Sequence, residues 1–475
     1  MIRLFLKFSA GGWIGAAISI LTIPIVTALL RPKEMGRASM FTLAVGLASQ
    51  LALVGADQAY ARHYYSPGED RAALLRNSMA LPLALASLIA IGILLFGGAL
   101  SEQLFGEQSG RAASLLAAGV VAAVVERFAT LTIRMEQRAL SYSVLRIVSS
   151  LVNFAAILTY AMFVSADYLA IATAHVAGLV VVGMSAIVLS RSVWRRGRLN
   201  GPAVRQMLNY GLPFVPTFAV MWLFDGMDKL MLRHYSSFTE LGLYSAAFRF
   251  IALLSILETG FTTFWVPVSY EMFDGPREHA SERFSVALSV TAAVLYCGGL
   301  VVLLVKQAII LLFAVEYRGA MSVMPFLLLI PIMACLSGIT VGGIAYAKRT
   351  HWHLWIAAGA ALTNYAINLV LVPMLGAKGA AISTGTAYIL FFAARTEVSQ
   401  RLFPLELGRT RLYGGVLLFA TSCAVHSFFP YGMFAYSISV VTLLLFVWIY
   451  RSEYLMLARR VRESLATWRR SSEIP

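Results

Sequence analysis

The sequence is poor in charge and in cysteine. Only 13% of its 475 residues are charged, about half the share that a soluble domain carries, and 59% are hydrophobic. The three cysteines, Cys297, Cys335 and Cys423, fall within apolar runs and lack the spacing of metal ligands. We therefore interpret them as small core residues, and the low charge excludes a soluble protein of ordinary composition.

Two motifs that would indicate an enzyme are also missing. The sequence has no G-x-x-x-x-G-K-[ST] phosphate-binding loop, which excludes an ATPase of the P-loop type. It has no H-E-x-x-H pattern, and its seven histidines are scattered near the ends of apolar runs. We therefore expect no catalytic residues, no metal and no cofactor.

Long apolar runs dominate the chain. Fourteen of them approach the roughly 20 residues with which a helix crosses a bilayer. They cover residues 8–30, 38–56, 79–100, 112–133, 144–164, 168–190, 208–232, 241–266, 284–313, 321–346, 352–374, 377–394, 413–429 and 432–450. We predict an all-α integral membrane protein with about 14 transmembrane helices. The first run is too long for the core of a signal peptide, so we expect it to be retained, and Lys306 is interpreted as marking the end of the ninth span.

The net charge of +15 is distributed unevenly around these spans. If the N-terminus is cytosolic, 27 of the 38 lysines and arginines lie in cytosolic segments and only seven on the other side. Such a bias is the positive-inside pattern, and it predicts that both termini are cytosolic. The basic tail after Tyr450 is then expected to bind anionic lipid headgroups rather than nucleic acid.

An internal repeat divides the chain. The pattern E-x-G-x-x-S occurs at residues 34–39 and again at 240–245, an offset of 206. Tyr64 and Tyr270 match at the same offset, and Asn153 matches Asn364 after a small shift. Because the matches occur in the same order relative to the spans, we predict two homologous six-helix lobes.

The predicted domains follow from the repeat. Residues 1–200 form an N-terminal lobe, 201–400 a C-terminal lobe, and 401–475 two additional helices with a basic tail. The basic stretch 191–205 joins the lobes. Six spans per lobe give both lobes the same orientation, so the pseudo-twofold axis runs along the membrane normal. Parallel repeats of this kind are typical of secondary transporters, whose site lies near the midplane between the lobes.

Several short segments carry a family resemblance. Residues 7–12, 29–36 and 55–65 are similar to the opening of bacterial polysaccharide flippases, the oligosaccharide-lipid branch of the multidrug/oligosaccharidyl-lipid/polysaccharide exporter superfamily. Residues 364–368 and 376–381 resemble the eleventh and twelfth helices of that family. The resemblance implies transport of undecaprenyl-pyrophosphate-linked oligosaccharides across the bacterial inner membrane by alternating access of two lobes. It also implies that helices one, two, seven and eight line the central cavity.

Ionisable residues inside the spans are candidates for the site, because such groups normally face a wet cavity or a partner. The candidates for binding an anionic pyrophosphate substrate are the bases Arg62, Arg127, Lys229 and Arg249. The candidates for ion coupling through H⁺ or Na⁺ are the acids Asp57, Asp225, Asp228 and Glu258.

Simpler roles stay open for several of these residues. Asp225 and Lys229 are spaced i, i+4 and can pair with each other. Arg62 can snorkel to the headgroups. Because Glu126 and Arg127 point about 100° apart on a helix, we favour a structural pair within or between lobes over a joint site. The remaining acids can simply balance nearby bases.

Other functions compete with that of a flippase. A membrane glycosyltransferase or polymerase acting on lipid-linked sugars needs a sizeable external loop, and the external loops here are short. An ion-coupled multidrug exporter of the same fold would have a more acidic or aromatic pocket. A flippase for the peptidoglycan lipid precursor is chemically close and stays open. The expected pathway is O-antigen (lipopolysaccharide), capsule or exopolysaccharide synthesis, with a polysaccharide polymerase and glycosyltransferases as partners.

Overall fold

The computed structural model describes residues 14–15, 18, 21–68, 70–195, 197–273, 277–405, 407–456 and 459. Within its helices the side chains of residues 225, 253, 255–257, 259, 263–264, 267, 270, 273 and 277–280 lie outside this description. The described part of the chain is helical and contains no β-strand.

The N-terminal part of the chain forms eight helices over its described residues. They are α1 (21–29), α2 (Pro32–Leu53), α3 (Ala56–His63), α4 (Arg71–Leu95), α5 (Gly97–Phe105), α6 (Gly110–Met135), α7 (Ala139–Phe163) and α8 (Tyr168–Leu189).

The remainder of the chain continues the pattern with longer and more interrupted helices. They are α9 (Gly201–Gly211), the 3₁₀ turn η1 (Leu212–Phe214), α10 (Val215–Tyr235), α11 (Phe238–Phe273), α12 (Arg277–Ile310), the 3₁₀ turn η2 (Val315–Tyr317), α13 (Ala320–Leu327), α14 (Leu329–Thr340), α15 (Gly342–Tyr346), α16 (His351–Leu375), α17 (Ala377–Leu402), α18 (Arg409–Phe428) and α19 (Met433–Ile449).

Where their residues are described, the fourteen predicted apolar stretches fall largely on these helices, although turns or bends interrupt or end several of them, as at residues 54–55, 96, 311–313, 328 and 341. Within the described residues, eight helices are long and apolar enough to cross a membrane by themselves. The number is nine if α2 and α3, which meet at a bend of 57°, count as one span. Helix α19 is apolar but has 17 residues, the short end of what a bilayer requires. The chain is therefore an all-α, multi-pass membrane protein.

Polar residues at span entrances explain where several helices begin. The carboxylate of Asp70 accepts a hydrogen bond from the backbone N–H of Ala72 at the start of α4. Ser109 caps α6 and Asp167 caps α8 in the same way. A side-chain acceptor at this position satisfies a backbone N–H that the helix itself leaves unpaired. Short polar loops thus separate apolar runs that would otherwise merge.

By packing, the chain divides into two compact units. The first comprises Met1–Ala246 together with Leu312–Tyr317, and the second comprises Ala247–Leu311 together with Arg318–Pro475. The boundary between them falls inside α11. The predicted lobe boundaries at residues 200 and 400 concern the sequence repeat, and they stay predictions.

The second unit contains a buried polar cluster where α12, α18 and α19 meet. Lys306 is fully buried and its Nζ donates a 2.9 Å hydrogen bond to the carbonyl oxygen of His426. The Nε2 atom of His426 lies 2.7 Å from the hydroxyl oxygen of Ser439. Lys306 lies near the end of α12, which stops at Ile310, and its side chain holds α12 to α18. Its interpretation as marking the end of the ninth span stays a prediction.

The cysteines pack as expected of small apolar residues, with one exception. Cys335 and Cys423 are buried, and all three cysteines are free thiols. Cys297 is only half-buried, and its sulfur lies 2.7 Å from the Tyr454 hydroxyl, which also donates to the Ala293 carbonyl.

Candidate functional site

A sharp break separates α2 from α3 and positions the first pair of charges. Val54 and Gly55 have positive φ angles of 41° and 73°, which turns the chain into a new helix. Only glycine fits the second position, since a Cβ on Gly55 would lie 2.2 Å from the carbonyl oxygen of Gly211. Asp57 consequently lies in the first turn of α3, where the helix dipole favours a negative charge.

Asp57 is paired with Arg127 of α6. The Asp57 Oδ2 atom accepts hydrogen bonds from Arg127 Nη2 at 2.6 Å and from Nε at 3.0 Å. The Asp57 side chain is 2% exposed, whereas 41% of the Arg127 side chain is exposed. Both residues belong to the first unit, so Arg127 does form a structural pair within one unit, with Asp57 rather than with its neighbour Glu126. The Asp57 carboxylate is therefore buried, whereas part of the Arg127 side chain is exposed.

Asp228 is the second buried candidate acid of the first unit. Its Oδ2 atom accepts a 2.7 Å hydrogen bond from the hydroxyl of Tyr244, and both residues are only 2% exposed. The contact joins α10 to α11. A buried carboxylate requires such a donor, because an unpaired charge in an apolar interior is strongly disfavoured.

The other candidates are more open. Arg62 is exposed in the last turn of α3, and Lys229 is half-buried on α10. Arg249 and Glu258 are half-buried on α11, in the second unit. The side chain of Asp225 lies outside the described residues. Of the eight candidates, the structure brings Asp57 and Arg127 into contact, and the roles of all eight in binding or coupling stay predictions.

The two copies of the E-x-G-x-x-S motif cross each other at their glycines. A Cβ on Gly36 of α2 would lie 2.0 Å from the carbonyl oxygen of Phe238. A Cβ on Gly242 of α11 would lie 1.8 Å from the carbonyl oxygen of Pro32. The offset of 206 residues that relates Gly36 to Gly242 also relates Pro32 to Phe238. The contact is therefore reciprocal, as expected for two motifs related by a twofold axis.

Two arginines clamp the aromatic ring at this crossing. The guanidinium of Arg37 lies 5.5 Å from the ring centre of Phe238, and that of Arg233 lies 4.6 Å from it. Arg37 also bonds to Glu34 at 3.3 Å and to Glu107 at 3.0 Å. The cation–π contact between Arg37 and Phe238 thus links the start of α2 to the start of α11, whereas both ion pairs of Arg37 lie outside α11.

The connections that follow α5 and α12 both contact residues close to the crossing of the two motifs. Gly106, after α5, lies against the ring of Phe238 at the start of α11. After α12, the Tyr317 hydroxyl donates a 2.7 Å hydrogen bond to the carbonyl oxygen of Leu30, at the end of α1. All of these contacts lie in the first unit.

Residues that the sequence interpretation missed belong to these contacts. Tyr244 and Arg37 lie inside the two motifs, which served only to detect the repeat. In the second unit, the half-buried Arg395 of α17 contacts two other helices. Its Nη1 donates to the Ser337 hydroxyl at 3.1 Å, and its Nη2 lies 3.3 Å from Nδ1 of His353. The motif was a signal for the first two residues, and the sequence contained none for Arg395.

Comparisons with known proteins support one family and one fold. The sequence model of the family described as polysaccharide biosynthesis protein matches residues 5–273, more than half of the chain. Among curated proteins, none matches the sequence. A solved structure of the lipid II flippase MurJ, in an inward closed conformation, superposes with a TM-score of 0.69 at 12% identity. The match covers 95% of this chain and 99% of that one.

Multidrug transporters have the same fold. An inward-facing MATE family transporter of the MOP superfamily superposes with a TM-score of 0.61 at 15% identity, over 82% of this chain and 94% of that one. The MATE multidrug transporter DinF-BH gives a TM-score of 0.58 at 17% identity, over 85% of this chain and 97% of that one. At such identities the likeness concerns the fold, and one fold can serve several substrates.

Proposed function

The chain belongs to the polysaccharide biosynthesis protein family, and we propose that it is a flippase for undecaprenyl-pyrophosphate-linked oligosaccharides. It would act in the bacterial inner membrane, with both termini in the cytosol, and serve O-antigen, capsule or exopolysaccharide synthesis. It would work by alternating access as a transporter rather than as an enzyme. Its expected partners are membrane lipids, a polysaccharide polymerase and glycosyltransferases.

One observation carries the choice of an anionic substrate. The two candidate acids of the first unit whose side chains are described, Asp57 and Asp228, are each 2% exposed and hydrogen-bonded. In contrast, the side chain of Arg127 is 41% exposed and Arg62 is exposed. The charge that remains accessible among these four residues is therefore positive. A multidrug exporter for organic cations would be expected to show the opposite arrangement.

The chemistry of the substrate fits accessible guanidinium groups. A pyrophosphate is costly to bring into an apolar medium without compensating charge. Arginine suits phosphate because its planar guanidinium donates two parallel hydrogen bonds. In Arg127 one edge already faces Asp57 through Nε and Nη2, and the exposed part of the group remains for the substrate. The polyprenyl tail would stay in the bilayer throughout.

The buried acids suit an ion-coupled change of conformation. Binding of H⁺ or Na⁺ at Asp228 would alter its charge and its contact with Tyr244, which joins α10 to α11. A ligand that interacts differently with two conformations shifts their populations. Asp228 and Glu258 are therefore our first coupling candidates, followed by Asp225 and Asp57.

A reconstituted assay tests the substrate class. We would load vesicles containing the purified protein with a short-chain polyprenyl-pyrophosphate oligosaccharide and measure its exposure to an enzyme outside. Arg62→Gln and Arg127→Gln should each reduce the rate by about tenfold, the factor expected for one charge-assisted hydrogen bond of the transported headgroup. Arg401→Gln, a change of the same charge at an exposed position of α17, is the matched control.

Other outcomes would identify a different transporter. Equal rates for Arg62→Gln, Arg127→Gln and Arg401→Gln would show that Arg62 and Arg127 do not contact the substrate. Transport of lipophilic cations without any oligosaccharide flipping would favour a multidrug exporter, and selective flipping of the peptidoglycan lipid precursor would favour that substrate. Coupling is tested with Asp228→Asn, which keeps an oxygen acceptor for Tyr244 but removes the charge. This variant should lose its response to an imposed H⁺ or Na⁺ gradient, and an undiminished response would place the coupling elsewhere.

A further inference from the structure

The first unit contains a pocket that none of the candidate transport residues lines. It lies between the beginning of α4 and the segment that follows α8, of which residues 193–195 and 199 line it, and its volume is about 310 Å³. Its wall is apolar and includes Leu75, Met79, Leu83 and Trp194, with Arg76 and Arg195 among the lining residues. The volume is at the lower end of the range found for ligand pockets, about 300–1,000 Å³.

The pocket is held in shape by contacts between the segment and α4. The backbone of Gly197 lies so close to α4 that a Cβ there would meet the backbone of Ala72 at 2.6 Å. Asn77 Oδ1 accepts a 2.9 Å hydrogen bond from the N–H of Asn200, and Arg76 Nη1 donates to the carbonyl of Gly197 at 3.3 Å. The segment thus rests on α4 in a defined position.

The polar groups of the pocket are donors without an acidic partner. Arg76 and Arg195 are exposed, and neither forms an ion pair with any carboxylate among the described residues. The indole N–H of Trp194 is buried and has no hydrogen-bond acceptor in the described structure. The accessible donors of the pocket are therefore the two guanidinium groups of Arg76 and Arg195.

The surroundings define the kind of ligand. The distribution of basic residues predicts that the start of α4 and the segment after α8 face the cytosol, at the level of the headgroups. Leu83 and Leu199, which line the pocket, are 36% and 63% exposed. A ligand must therefore combine an anionic group with a hydrocarbon chain. Basic pockets between transmembrane helices on the cytosolic side are a known way of binding acidic lipid headgroups.

We propose that this pocket binds one acidic phospholipid of the cytosolic leaflet. Its phosphate lies between Arg76 and Arg195, and one acyl chain runs along Leu75, Met79 and Leu83. The bound lipid fastens the segment that joins the two predicted lobes to α4. The proposal does not depend on which substrate the protein transports, and binding can be measured without any transport.

Lipid titration of the purified full-length protein in detergent tests the proposal, with native mass spectrometry as the readout. Phosphatidylglycerol should bind about tenfold more tightly than phosphatidylcholine with the same chains, because charged hydrogen bonds are lost with the zwitterionic lipid. The double variant Arg76→Gln/Arg195→Gln should lose this preference. Arg349→Gln/Arg401→Gln removes the same charge from two exposed positions and should keep it. Equal preference in both double variants would overturn the assignment.

Two further measurements separate the sources of the signal. Ala80→Phe fills the pocket without changing charge and should also abolish the preference for phosphatidylglycerol, so the test does not depend on the arginine variants folding. Glycerol phosphate, which has the anionic group but no chain, should compete weakly. If it displaced the lipid at equal concentration, the site would be one for free phosphate compounds and the lipid assignment would be wrong.

Discussion

The reciprocal glycine crossing leads to a quantitative prediction. Gly242→Ala would place a methyl carbon 1.8 Å from the carbonyl oxygen of Pro32, whereas real contacts essentially never fall below 3.0 Å. The two helices must therefore move apart by about 1.2 Å. Overpacking of this kind typically costs about 1–3 kcal/mol. Because the cost applies only while α2 and α11 are crossed, the variant should favour conformations in which they have separated.

Labelling of a single cysteine can measure that shift. Ser245 lies one turn beyond Gly242, is 5% exposed, and its hydroxyl has no described hydrogen-bond partner. In a background without the three native cysteines (Cys297→Ser, Cys335→Ser and Cys423→Ser), Ser245→Cys should react slowly with a membrane-impermeant maleimide. Gly242→Ala should accelerate the reaction by about 5- to 150-fold, the population change that corresponds to 1–3 kcal/mol.

Two other glycines provide matched controls. Gly46 on α2 and Gly260 on α11 have open space around the position of an added Cβ. Alanine at either position should leave the labelling rate unchanged. Gly36→Ala should act like Gly242→Ala, since its Cβ would lie 2.0 Å from the Phe238 carbonyl. If Gly242→Ala labelled no faster than the controls at equal thermal stability, the close backbone contact would not limit opening and our reasoning would be refuted.

Three further predictions concern stability, pH and topology. Asp57→Asn should lower the free energy of unfolding by about 2–4 kcal/mol, less than for a fully buried pair because Arg127 reaches the surface. Adding Arg127→Gln should recover part of this loss. If thermal melts showed no recovery, the two side chains would not stabilise each other. Burial raises the pKa of Glu453, but hydrogen bonds from Arg411 bring that pKa below its ordinary value of 4.5. The stability difference between wild type and Glu453→Gln should therefore persist above pH 4.5 and disappear as the pH falls through the lowered pKa; melts that show no such convergence would contradict it. Reporter fusions after Tyr450 should be cytosolic, and periplasmic activity would reverse the predicted topology.

The sequence by itself determined the class of protein. Apolar runs of bilayer length predict helices directly, because inside lipid each backbone N–H and C=O must be satisfied within its own segment. Membrane helices are therefore a local property of the chain, and the fourteen stretches proved mostly helical where they are described. The two E-x-G-x-x-S motifs likewise predict a repeat, since homologous segments retain their order even when little else is similar.

Only the tertiary structure decided which side chains meet. Asp57 and Arg127 are 70 residues apart, and their contact depends on the break after Val54 and on how α3 packs against α6. Tyr244 became the partner of Asp228 for a similar reason, and the glycines of the repeated motifs turned out to touch each other. A hydropathy pattern indicates which segments of the chain are long and apolar enough to cross the bilayer. It contains no information about which face of a neighbouring helix lies opposite, because that is set by packing among distant segments.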